Sequence, residues 1–186
     1  MSKPAKTAPI HLEDFGDAMH TESDRGCILI ACHVLDVALG HLLRSKFVRR
    51  RAVIKRAIDP LFEVSRPLSS FWAKTNLAYA LGLLDDWAYQ DLQTIRNLRN
   101  ALAHSYRSFS FDAPDIQSLL HQFQAPRRAM GHPYMWSVCR TLQAVGKFAD
   151  KWDAPRKTAN QCCFIAGFHY LHGYLTNGRA YKNKRA

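Results

Sequence analysis

The segment TIRNLRNALAHSYRSFSFD, Thr94 to Asp112, carries an arginine, an asparagine and a histidine at a spacing that suits phosphodiester chemistry. Arg96, Asn100 and His104 are four residues apart, so on a helix they line one face. Arg99 lies about 100° further round the axis and flanks that row. Ile95, Leu98 and Leu102 take the opposite side, which leaves the polar set at the rim of a buried helix. Cleaving RNA requires a base for the 2′-hydroxyl proton, an acid for the leaving oxygen and cations for the charge at phosphorus. A neutral histidine exchanges protons near pH 7. Arginine grips phosphate through two parallel N–H bonds. One histidine supplies one proton-transfer group, so a metal-free nuclease built on Arg99, Asn100 and His104 requires a second copy across a dimer interface. The plainer reading is a packed helix end, where Asn100 and His104 satisfy backbone groups and the arginines are solvated. Spacing alone does not decide between them, because Arg127 and His132 repeat it inside the proline- and glycine-containing stretch QAPRRAMGHP.

A second candidate is electrostatic. The chain carries 26 Lys and Arg against 15 Asp and Glu, a net charge of +11. Arg44, Lys46, Arg49, Arg50, Arg51, Lys55 and Arg56 follow one another with no acid among them. Arg179, Lys182, Lys184 and Arg185 close the C-terminus. These two groups together equal the net charge, so the remainder of the chain is balanced. Concentrated patches of this kind attract polyanions by counterion release, with an affinity that falls steeply as salt rises. The alternative is a solvated helix face and a basic tail.

The elements that must position these groups read as helices. Residues 1 to about 20 have the composition of a loose arm. Thr21 or Ser23 caps a long N-terminal helix with Ile28, Cys32, Leu35, Leu39, Leu42 and Leu43 on its buried stripe. The basic run follows and ends at Pro60. Ser69 or Ser70 caps the next helix, whose predicted buried face is Ala73, Leu77, Ala80, Leu81 and Leu84. Asp85-Asp86 separates it from a helix over Ala88–Ala103 with Leu92, Ile95, Leu98 and Leu102 inside. RSFSFD reads as a short extended arm, Asp112-Ala113-Pro114 as a cap with an early proline, and QAPRRAMGHP as a loop. Two further helices are expected, about Tyr134 to Trp152 and about Thr158 to Tyr174, with Asn177-Gly178 as the final stop. The fold class is therefore all-α: a single helical bundle over residues 21–176 with little or no sheet, an arm over 1–20 and a basic tail over 177–186.

Five cysteines without framework spacing, no apolar signal segment and no uninterrupted membrane-length run point to a reduced, cytoplasmic protein with no membrane partner. Cys162, His169 and His172 fall near one face of the last helix, but zinc sites usually draw ligands from separated loops, so no metal is expected. No glycine-rich phosphate loop, nucleophile elbow or carboxylate pair appears, and no cofactor is expected. Phe71, Trp72, Tyr79, Trp87 and Tyr89 have rings that suit base stacking or core packing.

Two resemblances follow from these residues. The ESDRG opening, the PL-SSF-AK--LAYALGL centre and the IR-LRN-xAHS close, between Glu22 and Ser105, resemble the mannitol operon repressor (MtlR) family. That resemblance implies a helical transcriptional repressor without a recognisable helix-turn-helix, acting through a protein partner or nucleic acid. The Arg99-Asn100-x3-His104 pattern is similar to the signature of HEPN domains. That similarity implies a dimeric, metal-independent RNase in which Arg99 and His104 are catalytic and Asn100 assists. A non-enzymatic interaction module is the remaining reading.

Overall fold

The computed structural model describes residue 19 and residues 21–104, 109–130 and 158–177. Ser23 starts the first long helix. Its backbone is extended, and its hydroxyl accepts the Gly26 N–H at 3.1 Å, satisfying a donor that has no partner inside the helix. This helix, α1 (Asp24–Arg44), buries Cys27, Ile28, Ala31, Cys32, Leu35, Leu39 and Leu43, so all but Leu42 of the expected stripe faces the core. By length and composition α1 is apolar enough to cross a membrane, yet over half of that stretch is buried inside the bundle.

The basic run leaves the bundle as an excursion. A three-residue helix, α2 (Arg51–Val53), passes into a π-helical turn over Ile54–Ile58 and a 3-10 turn over Asp59–Phe62. Pro60 does not end the run as expected. It sits in the first positions of the 3-10 turn, where its missing N–H costs no bond. The chain reverses through Glu63–Arg66, where the Arg66 N–H donates to the Glu63 carbonyl and Ser65 has a φ of 63°.

Ser70 then caps α3 (Phe71–Ala80), its hydroxyl accepting the Ala73 N–H at 3.1 Å. The buried face of α3 differs from the apolar count. Lys74, Thr75 and Ala78 are inside, whereas Ala80 and Leu81 are exposed. The cause is a carboxylate on α1: Lys74 Nζ donates to Asp36 Oδ2 at 2.7 Å, which draws the Lys74 side of the helix inward. Next, α4 (Asp86–His104) buries Leu92, Ile95, Leu98 and Leu102 as its spacing dictates. Each such side chain gains roughly 1.5–3 kcal/mol over exposure.

After Phe111, α5 (Pro114–Gln122) opens on its proline, with Ala113 rather than Asp112 at the cap position. The expected loop at QAPRRAM is helical: α6 spans Ala125–Met130. Its cap comes from α4, where the two oxygens of buried Asp91 accept the Gln124 and Ala125 N–H groups at 2.8 and 2.6 Å. Finally, α7 (Ala159–Asn177) packs on α1 and α6. Gln161 donates to the Glu22 carbonyl, and Asp24 accepts the Phe111 N–H, so the starts of α1 and α7 are tied to the strap before α5. Among the described residues there are seven α-helices and no strand, so the protein is all-α. The arm apart from Met19, the tail apart from Asn177, the predicted Tyr134–Trp152 helix and Arg107 and Ser108 of RSFSFD lie outside the described residues.

Candidate nucleic-acid interface

The excursion between α1 and α3 is pinned at its base by its own side chains. Phe47 and Phe62 meet edge to face with ring centroids 6.4 Å apart. The Arg44 guanidinium lies 3.8 Å from the Phe62 centroid and reaches Asp59 at 3.7 Å. Ile58 and Leu68 are buried, and the Leu68 N–H donates to the Leu61 carbonyl at 2.8 Å, closing the return.

This base divides the predicted patch in two. Arg44 is half-buried and engaged with a ring and an acid, so it belongs to the anchor. Lys46, Arg49, Arg50, Arg51, Lys55 and Arg56 are all exposed, joined by Arg66 from the turn by which the excursion returns. Asp59 pairs with Arg44 in the anchor. Six basic side chains within eleven residues are therefore exposed on a support that buried residues hold in place, and such an array suits phosphate oxygens. The π-helical turn lies within it, a rare geometry that recurs at functional sites.

The other predicted cluster lies on the last two turns of α4. Arg99 is exposed, Arg96 and Asn100 are half-buried, and His104 ends the helix. The Arg99 charge reaches across to Cys32 on α1. Burial lifts that thiol to about 12, Arg99 pulls it down and Asp36 pushes it up. The Cys32 sulfur itself faces the Ile95 carbonyl at 4.0 Å, which fixes the contact of α1 with α4. The fold thus carries the trio on one short stretch of α4, with Arg99 exposed and Asn100 half-buried. The side chain of His104 lies outside the described residues.

Sequence reasoning treated five aromatic rings alike, and the fold separates them. Trp87 packs against Tyr170 and Tyr174, with the Arg128 guanidinium 4.6 Å from its centroid. Tyr79 and Tyr89 stack at 4.2 Å, and their hydroxyls donate to Asp86 and Asn76. Phe71 is half-buried, while Trp72 is 51% exposed. On α7, burial lowers the His172 pKa, and among the described residues its Nδ1 finds no hydrogen-bond partner beside the Phe168 ring.

Against known proteins, a family model described as the mannitol repressor, MtlR, matches residues 15–135. The chain belongs to the MtlR family. That span includes both the basic excursion and the α4 cluster. The mannitol operon repressors of Escherichia coli strains K12 and O6:H1 are each 26% identical over 92 residues, covering 50% of this chain and 47% of theirs. The chain thus spans about half the length of these relatives. Two crystal structures share the fold. One is a possible transcriptional regulator YggD from Shigella flexneri 2a, with TM-score 0.65 and 18% identity, covering 91% of this chain and 98% of that one. The other is the MtlR–HPr complex from Escherichia coli, with TM-score 0.64 and 16% identity, covering 88% of this chain and 99% of that one.

Proposed function

We propose that this MtlR-family chain is a transcriptional regulator that meets a polyanionic partner through its basic excursion, without a helix-turn-helix. The observation that carries the reading is the exposed run Lys46, Arg49, Arg50, Arg51, Lys55 and Arg56 on an anchored base. Supporting it, the relatives bear the repressor name, and a structural neighbour is called a possible transcriptional regulator. Six phosphate contacts predict a logarithmic salt slope of about −5 on duplex DNA. The test is polyanion binding across a salt series with wild type and Arg49→Glu/Arg50→Glu/Arg51→Glu. Loss of affinity and a shallower slope in the triple variant are expected; an unchanged affinity overturns the assignment.

A protein partner fits the same family. A structural neighbour was solved as a complex with HPr, and a pull-down of this chain with HPr tests that route. A metal-independent RNase draws on one observation, the exposed Arg99 beside half-buried Asn100 at the end of α4. It requires two copies of the chain. RNA cleavage by wild type that disappears in His104→Ala decides for it, and intact RNA with a folded dimer decides against it.

A further inference from the structure

Cations on the excursion account for attraction to phosphate but not for which form of nucleic acid the surface fits. The exposed apolar groups bear on that question. Val48 is 58% and Val64 90% exposed, both on the excursion, and Trp72 is 51% exposed at the start of the helix that follows it. Among the described residues Trp72 has no ring, hydrogen-bond or ionic partner, unlike Trp87, Tyr79 and Tyr89. Tyr79 lies on the same side of α3, but Tyr89 covers one face of its ring and the Asp86 carboxylate at 2.8 Å repels phosphate. Among the described aromatic rings Trp72 is thus the most open to solvent.

Its placement is fixed by structure already described. Lys74 and Thr75 are buried on the inner side of α3, which turns Trp72 outward. Trp72 follows Leu68 by four residues, a reach of at most about 14 Å. Leu68 is hydrogen-bonded to Leu61 at the base of the excursion. Exposed cations on the excursion, with an open indole at the start of the helix that follows it, match the way single strands are held: phosphates on cations, bases stacked on rings. A duplex offers no free base face to Trp72, and α2 with its π turn is too short to fill a major groove.

We infer that the polyanion is a single-stranded nucleic acid, its phosphates on Arg49–Arg56 and a base stacked on Trp72. The inference rests on the excursion being the polyanion surface. The test measures anisotropy of labelled oligo-dT, oligo-U and a duplex of equal length with full-length wild type, Trp72→Ala, Trp72→Phe and the triple glutamate variant. Single strands should bind more tightly than the duplex and quench tryptophan fluorescence. Trp72→Ala should weaken oligo-dT or oligo-U by roughly 5- to 150-fold with its salt slope unchanged, and Trp72→Phe should restore most of it. The stronger of the two oligomers identifies DNA or RNA. Equal binding of duplex and single strands, with Trp72→Ala unchanged, overturns the inference and leaves the basic surface standing. No binding of any polyanion overturns both. Tighter binding to phosphatidylserine vesicles than to either oligomer also overturns it.

Discussion

Replacing Lys74 by methionine tests how the two helices that carry the excursion are held together. Lys74 Nζ meets Asp36 Oδ2 at 2.7 Å, and the side chains are 8% and 30% exposed. The second carboxylate oxygen of Asp36 is enclosed, with no hydrogen-bond partner among the described residues. The methionine variant keeps most of the buried stem but leaves both oxygens unpaired. Breaking a fully buried pair costs about 3–5 kcal/mol, whereas a surface pair is worth about 0–1. Because Asp36 keeps partial contact with water, about 2 kcal/mol is expected. For a protein of this size that lowers the melting temperature by about 4–8 °C. Replacing both partners, Lys74→Met with Asp36→Leu, removes the stranded charge and should recover at least half of the loss. Urea and thermal unfolding followed by circular dichroism provide the double-mutant cycle. A single-variant cost below about 0.5 kcal/mol, or a double variant as unstable as the two singles summed, refutes the reasoning.

Asp91 makes stability depend on pH. Burial raises its carboxyl to about 6, against the N–H groups of Gln124 and Ala125 and the charge of Arg128, which pull it down. The folded state therefore holds this proton more tightly than the unfolded chain. The associated stability is complete below about pH 4 and is lost as pH rises through 6, up to about 3 kcal/mol in all. Unfolding curves of wild type and Asp91→Asn between pH 4 and 7 should diverge by this slope, and parallel curves would show that Asp91 does not titrate there. At Gly167, an added Cβ would lie 2.5 Å from Phe123 Cε1 and 2.7 Å from Pro126 Cδ, where α7 meets the α5–α6 turn. Gly167→Ala should cost about 1–3 kcal/mol in chemical denaturation, and a neutral result would mean that α6 moves aside freely.

Legibility in the sequence tracked how local the cause was. Ser23 and Ser70 announce their helices because a cap acts within three residues, and Leu92, Ile95, Leu98 and Leu102 show the buried side of α4 by spacing alone. The face of α3 was misread because Asp36, 38 positions earlier, draws Lys74 inward past an apolar pattern. Helix α6 was hidden for the same kind of reason: its cap is Asp91, 34 positions before Ala125, and no nearby side chain signals it. The basic run was visible as charge. Its division into an Arg44 anchor and an outward array was not, since that depends on Phe62 and Asp59 folding back. Likewise five rings looked equivalent until tertiary packing set Trp87 against Tyr174, stacked Tyr79 on Tyr89 and left Trp72 open.

The most direct measurement is the affinity of the full chain for a labelled polyanion from low to physiological salt, wild type beside Arg49→Glu/Arg50→Glu/Arg51→Glu. The account predicts steep salt dependence in the wild type, with weaker binding and a shallower slope in a triple variant that remains folded. Equal affinities and equal slopes would contradict it and move the partner surface away from the excursion.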